Sequence, residues 1–231
     1  MTGPAAGPFS FSRVFSGWWW LLQRDVGRLF PVLLIWAFVT FASLSADHAL
    51  GFTSGLGLVS TTYLSDPFFS GICYWIALSV ERTELNEAVQ LSMRRYFALV
   101  ALFVLASVGA GLGFLLLIIP GLALVVFWAV ATPVLLSEEL GPIAALRQSF
   151  HYTKKRFWPL LLLFAIYACL ALAIVLIIFA LGVASVDGEP GTGLAVESGA
   201  AVAVNIISVC LTASIYRELL FTDDHDLSAF D

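Results

Sequence analysis

The stretch from Glu138 to Arg156 gathers the side chains that come closest to an acid–base site. It holds an acidic pair, a histidine and several cations: Glu138, Glu139, Arg147, His151, Lys154, Lys155 and Arg156. A carboxylate near a histidine can move protons in general acid–base catalysis. The same charges, acidic first and basic last, also suit the dipole of a surface helix and anionic lipid head groups. We favour the second interpretation, predict no catalytic residue, and expect the cations Lys154, Lys155 and Arg156 to contact lipid.

A second polar group lies in the apolar stretch 198–216. Asn205, Ser208 and Thr212 recur at i, i+3 and i+7, so a helix would place them on one face. They could contact a lipid or a solute head group. The alternative is hydrogen bonding between helices, typically worth about 0.6 to 2 kcal/mol per contact, and this is the interpretation that we favour.

The cysteines and histidines form no motif for metal or redox chemistry. They are far apart in the sequence: Cys73, Cys169, Cys210, His48, His151 and His225. Without CxxC or HExxH spacing, the cysteines are expected to be small packing residues. Gly109 and Gly113 have GxxxG spacing, which indicates close helix packing inside a span and not nucleotide binding. We therefore predict neither a metal nor a cofactor.

Composition indicates that these residues belong to a membrane protein. Of 231 residues, 60% are hydrophobic and only 12% are charged, and the mean hydropathy is +0.96. Soluble domains usually carry about 25% charged residues. Several uncharged runs exceed the roughly 18 residues that mark a membrane span. The predicted fold class is an all-α integral membrane protein, and the formal net charge of −5 argues against nucleic acid as a partner.

The longest uncharged run, 96–137, is too long for one span. As a helix it would reach roughly 63 Å, about twice the ~30 Å hydrocarbon core. Pro120-Gly121 near its middle is typical of a turn. We therefore predict two spans joined by a tight hairpin at this dipeptide.

The same reasoning predicts six transmembrane helices in one polytopic domain, 1–221, followed by an acidic cytoplasmic tail, 222–231. The predicted spans are 30–46, 64–80, 97–118, 122–137, 158–182 and 198–216. In this topology all eleven basic residues face one side: Arg13, Arg24, Arg28, Arg82, Arg94, Arg95, Arg147, Lys154, Lys155, Arg156 and Arg217. The positive-inside rule then predicts a multi-pass protein of the plasma (inner) membrane with both termini cytoplasmic.

Three cytoplasmic segments have apolar side chains at helical spacing: "FSFSRVFSGWWWLLQRDVGRLF", "TELNEAVQLSMRRY" and "GPIAALRQSFHYTKKRFW". Each predicts an amphipathic helix at the membrane interface, a depth that tryptophans favour. An interfacial helix followed by two spans would then repeat three times. The alternative is that any boundary between a basic face and lipid looks alike, and the sequence does not decide between these interpretations.

The stretch "IIPGLALVVFWAVATPVLLSEELGPIAALRQSFHYTKKRFWPLLLLF" and the later "ASIYRELL" resemble a family of six-span bacterial and archaeal membrane proteins. This family is related to the glycerophosphoryl diester phosphodiesterase membrane domain. The resemblance covers most of the chain and is specific over about 115–160. It implies architecture and membrane placement, and it transfers no catalytic residue, because in fused relatives the hydrolase is a separate soluble domain.

Three classes of function remain. The first is a non-catalytic membrane protein that organises the bilayer or scaffolds partners. The second is a permease or lipid-handling protein, with the stripe at Asn205 facing a solvated path. The third is a membrane-embedded hydrolase, which requires Glu138, His151 and a basic residue in one pocket. We rank them in this order, with membrane lipids as partners and a protein partner or a homo-oligomer as further options.

Overall fold

The structure is a computed structural model that describes residues 9–49, 62–79, 84–184 and 190–228. Within these ranges the chain is all-helical, as predicted, without a strand. The described helices, in chain order, are α1 (Phe11–Ala49), α2 (Thr62–Leu78), α3 (Leu85–Leu116), α4 (Ile118–Phe127), α5 (Ala131–Ser137), α6 (Pro142–Lys154), α7 (Phe157–Ala184) and α8 (Pro190–Ser228).

Five described stretches are long and apolar enough to cross a membrane: Gly27–Ala46, Leu85–Leu116, Ile118–Ser137, Phe157–Ile174 and Ala195–Leu220. The all-α prediction is confirmed for the described residues, and these five stretches are candidate membrane spans by their length and composition. The predicted second span, 64–80, corresponds to α2, which has 17 residues and is not one of the five. This length is the lower end of the about 17 to 25 residues that a span needs, so a sixth span is not shown.

α2 is the enclosed centre of the bundle. It packs against α1, α3, α5 and α8, and most of its second half is buried: Gly71, Ile72, Cys73, Tyr74, Ile76 and Ala77. α7 is the opposite case, with apolar side chains exposed along its length, such as Trp158 and Ile166. A helix that is apolar all round and open to its surroundings is stable in hydrocarbon, where such side chains contact lipid.

The longest uncharged run folds back, as its length predicts, but the turn is not at Pro120-Gly121. α3 ends at Leu116, and one extended residue, Leu117 (φ −164°, ψ 149°), joins it to α4. Pro120 lies in the first turn of α4, where proline's missing N–H costs little. A Cβ on Gly113 of α3 would lie 2.9 Å from the Cα of Gly121. The predicted turn position was wrong because proline fits a helix start as well as a turn.

The predicted fourth span, 122–137, is two helices and not one. α4 ends at Phe127, and a turn at residues 128–130 leads into α5. At this break the Phe127 carbonyl oxygen accepts hydrogen bonds from another helix: Ser149 Oγ (2.7 Å) and Thr153 Oγ1 (3.2 Å) of α6 donate to it. These hydroxyls satisfy a backbone group that hydrocarbon could not.

Two of the three predicted interfacial helices are not separate elements. The first segment is the N-terminal part of α1, and the second is the start of α3. Each continues into its apolar stretch without a break, even though α1 contains Pro31. Only α6 is a short helix of its own, since the turn at Lys155 and Arg156 separates it from α7. The threefold repeat is therefore not confirmed.

α1 and α8 pack together in antiparallel fashion. Arg13 bonds Glu218, and Ser214 Oγ donates to the Val14 carbonyl (2.7 Å), so numbers rise along one helix as they fall along the other. α8 extends beyond the predicted span at both ends, and its backbone is helical to Ser228. Most of the predicted acidic tail is thus a continuation of α8, because no proline or glycine follows the span to stop the helix.

Candidate functional site

α6 carries the candidate site, and its sequence explains how it is held. Gly141 precedes it in an extended conformation and Pro142 occupies its first turn, the position that proline favours. Ala145, Ser149 and Thr153 follow at four-residue intervals and are fully buried. This small, polar face fits against the break after Phe127, so the charged residues of α6 must lie on its other faces.

The outer side of α6, together with Leu140, lines an open surface cavity of about 530 Å³, and its three basic side chains are exposed. Its lining consists of Leu140, Ala144, Arg147, Gln148, Phe150, His151 and Lys154. Arg147, His151 and Lys154 have the spacing i, i+4 and i+7, which places them on one face of the helix. The cavity therefore combines two permanent cations, a histidine and an amide with apolar and aromatic walls.

The two neighbouring carboxylates are held elsewhere. Glu138 Oε1 accepts hydrogen bonds from Tyr152 (3.0 Å) and Tyr216 (3.2 Å). Glu139 forms an ion pair with Arg95 (3.2 Å). Neither carboxylate lines the cavity that contains His151. Glu138 and His151 therefore do not meet in one pocket, as a membrane-embedded hydrolase would require.

Glu138 instead belongs to a hydrogen-bonded cluster that joins α5, α6 and α8. Ser137 Oγ bonds the Tyr216 hydroxyl (2.6 Å) and also donates to the Pro133 carbonyl (2.7 Å). Glu139 follows with a positive φ of 53°, a left-handed conformation that often ends a helix. This geometry lets its carbonyl accept from Arg95 (3.1 Å), so the acidic pair terminates α5 and fixes it to α3, α6 and α8.

Of the three cations that were predicted to contact lipid, one lines the cavity and two do not. Lys154 lines the cavity. Lys155 and Arg156 occupy the turn between α6 and α7 and are not among the lining residues. The cavity instead uses Arg147, Gln148 and His151, of which the amide was not singled out from the sequence. Counting back three and seven residues from Lys154 finds His151 and Arg147 on the same side of the helix, whereas this spacing does not find Gln148.

The polar stripe of α8 makes structural hydrogen bonds. Asn205 Nδ2 donates to the Ala201 carbonyl of its own helix (3.0 Å). The Thr212 hydroxyl lies 2.5 Å from the Tyr74 hydroxyl of α2, which joins two helices as the favoured interpretation expects. Neither Asn205 nor Thr212 lines the α6 cavity, and their role in contacting a solute stays a prediction.

A cluster at the end of α2 was not foreseen from the sequence. Arg24 Nη2 donates to the Ile76 carbonyl (3.0 Å), and Arg217 Nη2 donates to the Ala77 carbonyl (2.7 Å). Arg24 also pairs with Asp25 (2.7 Å), whose side chain is buried. Two cations thus occupy the negative end of the α2 dipole and satisfy carbonyls that lack helical partners.

A further ion pair fastens the N-terminal part of α1. Arg13 Nη2 lies 2.6 Å from Glu218 Oε1, and the Ser10 amide donates to the same oxygen (3.2 Å). The hydrogen bonds that Arg13 donates to the Glu218 carboxylate raise the pKa of Arg13 above its ordinary value, which keeps the guanidinium charged. The pair therefore contributes to the α1–α8 contact at every physiological pH.

Asp66 lies deeper than its sequence position indicates. It accepts a hydrogen bond from Trp36 Nε1 (2.9 Å), and Trp36 is fully buried. Trp36 is near the middle of the apolar stretch Gly27–Ala46. Asp66 is therefore a carboxylate beside the centre of a candidate membrane span, and inside a membrane ionisable groups are costly and often functional.

Comparison with known proteins adds no relative: no family model, no curated protein and no solved structure matches this chain. The family resemblance of the stretch around 115–160 therefore stays a prediction.

Proposed function

We propose that this chain is a non-catalytic membrane protein that binds the head groups of anionic phospholipids at the α6 cavity and thereby organises the surrounding bilayer. The observation that carries the proposal is the composition of the cavity wall. Arg147, His151 and Lys154 share one face of α6, and no carboxylate is among the described residues that line the cavity. Such a wall has a net positive charge that an anion from the membrane surface would neutralise.

The chemistry of each lining residue fits a phosphate at the membrane surface. Arg147 offers a planar fork of N–H donors that matches two phosphate oxygens, and Lys154 offers a mobile point charge. Leu140 and Phe150 provide apolar contact beside them. A cation near an anionic membrane surface contributes about 1 kcal/mol, so the set would hold a lipid without any covalent chemistry.

We further propose six crossings of the plasma membrane with both termini cytoplasmic. The antiparallel contact of Arg13 with Glu218 supports an even number of crossings, because it brings the N-terminal end of α1 to the C-terminal end of α8. If α2 is counted as a span together with the five candidates, the number of membrane crossings is six. All basic residues then face the same side of the membrane. Exposed aromatic residues on the first turns of α1, such as Phe15 and Trp19, suit the interfacial depth at that side.

The permease class has one observation in its favour, the deep position of Asp66. Its carboxylate is held by Trp36 of α1, however. The cavity of about 570 Å³ between α2 and α3 is lined by Leu64, Ser65, Phe68, Phe69, Met93, Tyr96 and Phe97, without Asp66. The helix break after Phe127 is also filled by α6 hydroxyls, so its carbonyl is not available to a solute. Head-group binding at α6 therefore ranks first.

The test is lipid retention by purified protein. The double substitution Arg147→Gln with Lys154→Gln removes two cations from the cavity, and at about 1 kcal/mol each we expect roughly 30-fold weaker binding of anionic lipid. Native mass spectrometry of protein in nanodiscs containing phosphatidylglycerol measures the bound lipid.

The matched control is Arg28→Gln with Arg94→Gln, which removes the same charge from residues outside the cavity lining. We expect it to retain the lipid. If both double variants lose lipid equally, the attraction comes from the overall charge of the protein and the proposal of a site at α6 is wrong.

A further inference from the structure

We infer that the α6 cavity selects lipids whose head group ends in a phosphomonoester, the phosphatidate class, over lipids with a phosphodiester head group. This inference rests on the proposed function, because it names the substrate class of the same site. It starts from the two permanent cations and the histidine that share one cavity: Arg147, Lys154 and His151.

The cavity has more positive charge than a phosphodiester can neutralise. Arg147 and Lys154 are both permanently charged, so the lining carries two positive charges. Neither Glu138 nor Glu139 lines the cavity: Glu138 accepts from two tyrosines, and the charge of Glu139 is paired with Arg95. A phosphodiester brings a single negative charge, whereas a phosphomonoester carries about −1.5 to −2 at pH 7.

The number of acceptor oxygens leads to the same choice. A phosphodiester has two unesterified oxygens, which a single arginine fork can occupy. A phosphomonoester has three. It can therefore accept from the guanidinium of Arg147 and still offer an oxygen to Lys154 or His151. The spacing of four and three residues along α6 presents these donors from two successive turns.

Zwitterionic head groups fit the cavity poorly. Ethanolamine and choline carry a cation that Arg147 and Lys154 would repel. Choline sites in proteins surround the quaternary ammonium with several aromatic rings, and Phe150 is the one aromatic residue among those that line this cavity. The lining thus favours a head group that has no positive charge.

The apolar walls indicate a lipid and not a free phosphate ester as the source of the phosphomonoester. Leu140, Ala144 and Phe150 line the cavity beside the cations. Ile143, one residue from Ala144 on the same helix, is 72% exposed. Such a surface gains nothing from inorganic phosphate or glycerol 3-phosphate, but it can contact the glycerol and the first methylenes of an acyl chain.

The experiment compares two short-chain lipids by calorimetry with the full-length protein in detergent. We expect dioctanoyl phosphatidic acid to bind about tenfold more tightly than dioctanoyl phosphatidylglycerol. Glycerol 3-phosphate should bind at least tenfold more weakly than the phosphatidic acid. Arg147→Gln should remove the preference, and the charge-conserving Lys154→Arg should keep it. Unchanged thermal unfolding of each variant shows that its fold is intact.

The outcomes separate this inference from the proposed function. If both lipids bind equally and Arg147→Gln weakens both, the site exists but phosphomonoester selectivity is refuted. If neither lipid binds, the proposed function fails as well. If glycerol 3-phosphate binds as tightly as phosphatidic acid, the lipid source is refuted and the ligand is a soluble phosphate ester.

Discussion

Two glycines determine how closely α3 and α4 approach. A Cβ on Gly113 would meet the Cα of Gly121 at 2.9 Å, and a Cβ on Gly121 would lie 2.8 Å from the Phe114 amide nitrogen. Both contacts involve backbone, which cannot move aside as a flexible side chain can. Gly111, two residues from Gly113 on the same helix, has no atom of another described element within 4 Å of its Cβ position. The chain thus offers a matched pair for a test of the hairpin.

Gly113→Ala should lower the free energy of unfolding by about 1 to 3 kcal/mol, because the added methyl forces the two backbones apart. Gly111→Ala should leave it unchanged or raise it by up to about 1 kcal/mol through helix propensity. Reversible unfolding of the detergent-solubilised protein measures both. Equal effects at the two positions would show that α3 and α4 do not pack at Gly113.

At the residue scale, the sequence predicts what depends on near neighbours. The GxxxG spacing of Gly109 and Gly113 correctly indicates close packing, and the structure adds that Gly109 lies against the Trp128 ring. The role of Asp25 could not be predicted. Its environment includes Arg217 and the end of α2, and these lie far away in the chain. Periodicity gives no information about such contacts.

At the element scale, the C-terminus of α2 depends on an arginine from α8. Arg217→Met keeps the apolar stem but removes the hydrogen bonds to the Ala77 and Leu78 carbonyls. Charge-assisted hydrogen bonds contribute about 1.5 to 3 kcal/mol, so we expect a loss of roughly this size in unfolding free energy. The control Arg94→Met changes an exposed arginine and should stay within about 0.5 kcal/mol. A loss as small for Arg217→Met would contradict the capping role.

The helices could be predicted from the sequence where the length of an uncharged run alone determines them. The run 96–137 had to fold back because one helix would be too long for a bilayer. Its turn and its second break were not predictable, because Pro120 suits a helix start and the break after Phe127 is stabilised by Ser149 and Thr153 of another helix. The spacing of Arg147 and Lys154 is enough to place both cations on one face of α6. The cavity could not be predicted in this way, because Leu140, which precedes the helix, also lines it.

At the scale of the whole molecule, the contact between α1 and α8 closes the bundle. The two helices come from opposite ends of the chain, and their pairing brings Gly17 to Ser214. The one-sided distribution of basic residues predicts that both ends face the same side, but it does not predict that they touch. Long-range pairing of this kind depends on the shapes of complementary surfaces, which hydropathy does not encode.

A disulfide can test this pairing directly. A Cβ on Gly17 would lie 3.8 Å from the Cβ of Ser214, close to the mean separation in disulfides. In a background with the three native cysteines replaced by alanine, we expect Gly17→Cys with Ser214→Cys to cross-link under mild oxidation. After cleavage at a protease site inserted between α1 and α2, the fragments should then stay joined at the monomer mass until they are reduced. Gly27→Cys with Ser214→Cys is the control, since among the described residues no atom of another helix lies within 4 Å of a Cβ at Gly27. Its fragments should separate. Separation in both variants would mean that α1 and α8 do not pair as described, and it would remove the support for an even number of crossings.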